Sequence, residues 1–174
     1  MDDHGVVEIQ LGRPPRSSID APTRCHLGLP VVITVPPLLD DGTPFPTRYW
    51  LTCPLAQRRV SRVESAGGVA DAEALVGAGD EIGERHGRAM ARYAAERDAA
   101  LPDGWEGPRP SGGVGGSSGG VKCLHAHYAD YAAGNDNPIG EWVSASVEPL
   151  DCAVPCVIAG GGAAVPNLDW REPR

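Results

Sequence analysis

At Cys53-Pro54 the apolar pattern of this chain changes period, and that change points to a fold that keeps strands and helices in separate stretches. Before it, Arg48-Tyr49-Trp50-Leu51-Thr52-Cys53 is aromatic and β-branched, the composition of a strand. After it, Pro54 suits a first helical turn. Leu55, Val60 and Val63, set among polar Gln57, Arg58, Arg59, Arg62 and Glu64, make an amphipathic helix that Gly67-Gly68 closes. Upstream, residues 6–11 read as a short β-type run stopped by Gly12-Arg13-Pro14-Pro15-Arg16. Residues 23–26 and 30–35 read as a hairpin around Leu27-Gly28-Leu29, and Asp40-Asp41-Gly42-Thr43-Pro44 as a turn.

Downstream the pattern is helical. Residues 71–98 are rich in Ala, Glu and Arg, but Gly77, Gly79, Gly83 and Gly87 each cost up to about 1 kcal/mol in a helix interior. A break near Gly77-Gly79 would leave a firmer helix over 80–98, with His86, Met90, Tyr93 and Arg97 on one face. Residues 102–120 are Pro, Gly and Ser, the composition of a flexible connector. A helix is expected over 121–133, and another from Asn137-Pro138 to Val147. With Gly 23 and Pro 17 among 174 residues, much of the rest should be turn or loop. The expectation is one α+β domain over residues 1–158, with a small antiparallel sheet of three to four strands near the N-terminus packed against three to four helices. Residues 159–174 then form an irregular, loosely ordered tail.

Lys+Arg 15 against Asp+Glu 23 gives −8, and the basic groups gather only at Arg58, Arg59, Arg62 and at Arg85, Arg88, Arg92, which argues against a nucleic-acid binder. No apolar run approaches the 18 residues of a membrane span, and Met1-Asp2-Asp3-His4-Gly5 is unlike a signal peptide, so a cytoplasmic protein is expected. Five cysteines without an export signal then read as reduced, buried, metal-bound or reactive thiols.

Cys123-Leu124-His125-Ala126-His127 is the densest chemistry in the chain. On a helix Cys123 and His127 stand at i and i+4, the spacing that offers two donors to one ion. With Cys53 at the strand-to-helix junction and Cys25, Cys152, Cys156 or His86 as a further ligand, the set suits a divalent metal, Zn²⁺ by preference, in a structural or a hydrolytic role. The metal set read from the chain is therefore Cys53, Cys123, His127 and Cys25. A second reading makes Cys123 the nucleophile of a hydrolase, with His127 or His86 as base and Asp130 as orienter. The plainer reading of Cys25 and Cys53 is small buried hydrophobes. Gly112 to Gly120 followed by Lys122 has the ingredients of an anion site but not the order of a Walker A loop. Arg58, Arg62 and Arg97 are candidates to meet a small anionic ligand, against the plainer reading of a solvated face.

Residues 42–54, Ser61-Arg62-Val63-Glu64-Ser65-Ala66-Gly67, Gly120-Val121-Lys122-Cys123-Leu124-His125 and Asn137-Pro138-Ile139-Gly140 together resemble an uncharacterised bacterial family known as domain of unknown function number five hundred and one. The resemblance spans roughly residues 8 to 145. It implies an actinobacterial source and genes near a septum-formation initiator and an exopolyphosphatase-like protein, hence a competing role as a non-catalytic interaction protein in cell division or polyphosphate metabolism. It brings no activity and no catalytic residues with it.

Overall fold

The computed structural model describes residues 1–79 and 81–173. Helix α1, Asp3–Leu11, opens the chain where a strand was expected. The alternation of Val7, Ile9 and Leu11 mimics a strand, but Asp2 caps the helix by accepting from the Gly5 N–H at 2.7 Å. The buried side chains are Val6, Val7 and Gln10, a helical spacing. The expected hairpin is present as β1, Asp20–Arg24, and β2, Pro30–Thr34, joined antiparallel with Asp20 opposite Thr34 and Arg24 opposite Pro30. Strand β3, Tyr49–Leu51, completes the sheet on the other side of β2, with Ile33 opposite Trp50.

Strand β2 is central, and Pro30, Val31, Val32 and Ile33 are all buried. Ile33 and Val35 pack with Val7 of α1, while Val31 and Val32 join the main core beneath the helices. That core gathers Leu55 and Val60 of α2, Pro54–Ser65, Tyr93 of α4, Glu81–Ala99, Leu124 and Tyr128 of α5, Leu124–Ala132, and Ile139 and Val143 of α6, Pro138–Val147. Pro54 occupies the first turn of α2 and Pro138 that of α6, as the sequence implies. Helix α3, Gly68–Gly77, is separated from α4 at the expected glycines. Asp80, where the firmer segment was expected to begin, lies outside the described residues.

Two contacts fix how the layers meet. The Tyr93 hydroxyl accepts from the backbone N–H groups of Arg48 at 2.6 Å and Tyr49 at 3.3 Å, so α4 satisfies donors at the start of β3. At the crossing of α5 and α6 a Cβ on Gly140 would overlap the His127 carbonyl and the Tyr131 side chain, so the two backbones touch there.

The Gly/Ser run read as a connector carries a 3-10 turn at Val114–Gly116 with Val114 fully buried. The Arg97 guanidinium donates to the Gly112 carbonyl at 2.5 Å, and the Gly113 N–H donates to the Ser117 carbonyl at 2.8 Å. The C-terminal stretch expected as a loose tail forms a second antiparallel pair, β4, Val157–Gly160, and β5, Ala163–Pro166, against α1. Gly161 and Gly162 both have positive φ, 60° and 88°, as a tight hairpin turn requires. Among the described residues no helix is long and apolar enough to cross a membrane.

Candidate functional site

The start of α5 is where side-chain chemistry converges. Cys123 is the N-cap, with extended backbone at φ −153° and ψ 116°, so it stands outside the helical repeat. Glu64, in the last turn of α2, accepts from the Leu124 N–H at 2.7 Å, and its Oε1 lies 3.2 Å from Nδ1 of His125. A carboxylate at the positive end of α5 satisfies one of the helix's free donors and complements its dipole. Just upstream, Glu73 of α3 accepts from the Val121 N–H at 2.6 Å. Helices α2 and α3 thus fix the path of residues 121–125.

Nε2 of His125 lies 3.2 Å from the Gln57 carbonyl and 3.2 Å from the Ser61 hydroxyl. A carbonyl only accepts, so Nε2 carries hydrogen and Nδ1 is the nitrogen turned to Glu64. Burial pushes the imidazole down, but the bond with Cys123 and the charges of Glu64 and Cys123 outweigh it and lift His125 to about 9. One ligand atom each from Glu64, Cys123 and His125 all lie within 4.8 Å of one another, and all three residues are partly exposed. Cys123 and His125 border a cavity of about 160 Å³ walled by Thr47, Trp50, Leu51 and Gly115.

The residues singled out in the sequence separate into three places. Cys123 lies beside His125 and Glu64, not beside His127. His127 is fully buried, with Nδ1 3.1 Å from Asn137 Oδ1, and its ring centroid lies 5.4 Å from that of His86. Burial, partly offset by the Asn137 bond and reinforced by His86, pushes His127 down to about 4. His86 in turn meets the Gly119 carbonyl at 3.1 Å. Neither histidine forms a group with Cys123 within ligating reach, because an N-cap residue does not share the helical face of the residue four positions on.

Cys25 and Cys53 fall in the third place. They line an enclosed cavity with Cys152 and Cys156, so the expected set of Cys53, Cys123, His127 and Cys25 does not converge on one point. Burial lifts the Cys53 thiol to about 11, against the backbone N–H groups of Ala56 and Leu55 that favour its anion. Asp130 serves the core rather than Cys123: it accepts from Arg92 at 2.5 Å, Asn137 at 2.8 Å and Asn135 at 3.1 Å. Arg62 is held by Glu172 at 2.6 and 2.7 Å, Arg58 lies over the Trp170 ring, and the buried Arg97 bonds Gly112 and Asp98.

Sequence reasoning missed Glu64 as a member of the site. It is 59 positions before Cys123, and only the packing of α2 on α5 brings the two together. The one local signal was the Cys-x-His spacing, which an N-cap cysteine turns into a neighbouring pair.

No curated protein and no solved structure matches the chain. Residues 21–145 match the family model described as "Protein of unknown function (DUF501)", a span that includes Glu64, Cys123 and His125, and the chain belongs to that family.

Proposed function

We propose that Glu64, Cys123 and His125 bind one divalent metal ion, Zn²⁺ by preference, in an open site of hydrolytic type. The observation that carries the reading is the convergence of a carboxylate, a thiol and an imidazole within 4.8 Å, with Cys123 and His125 also lining a cavity. This is a donor set that zinc favours, and three protein ligands leave a fourth position for water or substrate. The Gln57 carbonyl takes the N–H of Nε2, the outer-shell contact that orients a ligating histidine and leaves Nδ1 to face Glu64. A proton held on Nδ1 between an acid and a thiol marks a place where the protein favours a cation.

Held by Glu64, Cys123 and His125, a divalent ion would supply an activated water and a Lewis acid for a carbonyl or phosphoryl oxygen. Equilibrium dialysis against zinc tests the assignment. Cys123→Ser and Glu64→Gln should each lower the bound metal by about one equivalent relative to the unsubstituted protein while thermal unfolding stays cooperative. Equal metal content in all three proteins would remove the site.

A second reading uses the same residues without metal: Cys123 is the nucleophile, His125 gives a proton to the leaving group, and Glu64 orients the imidazole. It is favoured by the position of Cys123 at the cavity and at a helix start, and by the contacts of His125 with both Cys123 and Glu64. In chelator-treated protein, limited alkylation with iodoacetamide should mark Cys123 ahead of the other four cysteines, and Glu64→Gln should slow that labelling about tenfold. Uniform labelling of all five thiols would count against this reading.

A further inference from the structure

Four of the five cysteines lie together on the side of the sheet toward the C-terminal segment. Cys25 follows β1, Cys53 caps α2, and Cys152 and Cys156 belong to the irregular segment between α6 and β4. Together they line one enclosed cavity of about 20 Å³, room for a single small ion. Hydrogen-bond donors are already directed at the sulfurs. The indole N–H of Trp170 lies 3.4 Å from Cys152 Sγ, and the Gln10 amide lies 3.7 Å from Cys156 Sγ. Such N–H to sulfur contacts accompany thiolates that hold a metal. Gln10 itself is nine-tenths buried against this cavity, and its Oε1 has no partner.

We propose that Cys25, Cys53, Cys152 and Cys156 form a closed site for one thiophilic divalent cation, Zn²⁺ by preference, that ties the segment after Pro149 to the sheet and to α2. A divalent cation that displaces the thiol protons is the partner that would hold four sulfurs around one space. The cysteines at 152 and 156 are separated by three residues, within the range of paired zinc ligands. No three of the four sulfurs lie within 4.8 Å of one another, whereas a tetrahedral zinc site sets its sulfurs about 3.8 Å apart. Loading therefore draws the 152–156 segment inward onto Cys25 and Cys53. The site is independent of Glu64, Cys123 and His125, and shares no residue with them.

Cobalt(II) titration of the Cys123→Ser protein isolates this site, since the only sulfur of the other one is then gone. The expected result is one equivalent of Co²⁺ with tetrahedral d–d bands and the sulfur-to-metal charge-transfer intensity of four thiolates. Zinc should displace the cobalt, and the four cysteines should become protected together from maleimide. In a second protein, Cys152→Ser with Cys156→Ser and Cys123 intact, the four-thiolate spectrum should be lost. A one-thiolate spectrum there would belong to Cys123. If the Cys123→Ser protein gives no charge-transfer band, or one of a single thiolate, the proposal is overturned. It is equally overturned if that protein refuses cobalt and instead loses two hydrogens in mass per cysteine pair under air. Because the first of these measurements needs only Cys123→Ser, a failure of the double variant to fold does not shield the proposal.

Discussion

Asp130→Ala is expected to lower folding stability by about 3 to 4 kcal/mol. The carboxylate is fully buried and accepts from Arg92, Asn135 and Asn137. Burial lifts its pKa, and the bonds from Arg92 and Asn137 only partly oppose that lift. Desolvation thus outweighs attraction, so the pair adds little stability over an apolar pair of the same shape, yet its removal one partner at a time is costly. Alanine would leave Arg92 with only Glu96 at 3.4 Å and would free the Asn137 amide whose Oδ1 holds both His127 and the Gly140 N–H. The crossing of α5 and α6 would loosen, and with it the placement of the Cys123 end of α5. Urea denaturation at neutral pH measures the loss. A change below about 1 kcal/mol would mean that Arg92 finds solvent at little cost and that the network is peripheral.

Much of this scaffold is legible in the chain because local chemistry and tertiary context agree. The Cys53-Pro54 junction, the Asn137-Pro138 cap and the glycines at 77 and 79 each set an element boundary by backbone physics alone. The α+β class, with its three-stranded antiparallel sheet near the N-terminus, follows from them. Residues 6–11 misled because Val, Ile and Leu at alternate positions satisfy a period of two, while the Asp2 cap and burial of Gln10 against the Pro30 carbonyl decide for helix. The C-terminal glycines misled by composition: Gly161-Gly162 is a hairpin turn between two short β-branched and alanine-rich strands, not the sign of a tail. At residues 112–114 the loop is packed because Met90 and Arg97, on a helix 15 to 24 positions earlier, reach Gly112, Gly113 and Val114.

The candidate site was legible only in part, for a related reason. Cys-x-His was visible, and so was the importance of residue 123, but the pairing was assigned by helical periodicity. At an N-cap that periodicity has not begun, so the partner is the residue two positions on and a glutamate from another helix. In the chain, Cys25, Cys53, Cys152 and Cys156 read as possible partners of Cys123 rather than as a set of their own. Their gathering around one cavity depends on the C-terminal segment folding back along α1 and α2, which no spacing rule encodes.

The imidazole of His125 is expected to titrate near pH 9 in metal-free protein, which a ¹H–¹⁵N NMR titration of the ring reads directly. Its unfolded value is 6.5, so the folded state binds the proton more tightly. Below about pH 6.5 both states are protonated and the stability from this group is fully present. Between 6.5 and 9 the unfolded state alone loses its proton, and that stability falls away with rising pH. At about 1.4 kcal/mol per pKa unit the ceiling is about 3 kcal/mol, and partial exposure of the ring reduces it toward 1 to 2. The gap in stability between the protein and His125→Gln should therefore be widest below pH 6.5 and vanish above pH 9. Zinc affinity should run the opposite way, since the ion must displace the proton: the His125 contribution strengthens binding about 50-fold from pH 7 to pH 9. In Glu64→Gln the ring loses its anionic neighbour, so its titration should move down toward 6.5. A ring that titrates near 6.5 in the unsubstituted protein would show that Glu64 and Cys123 do not converge on it in solution, and the site would lose its foundation.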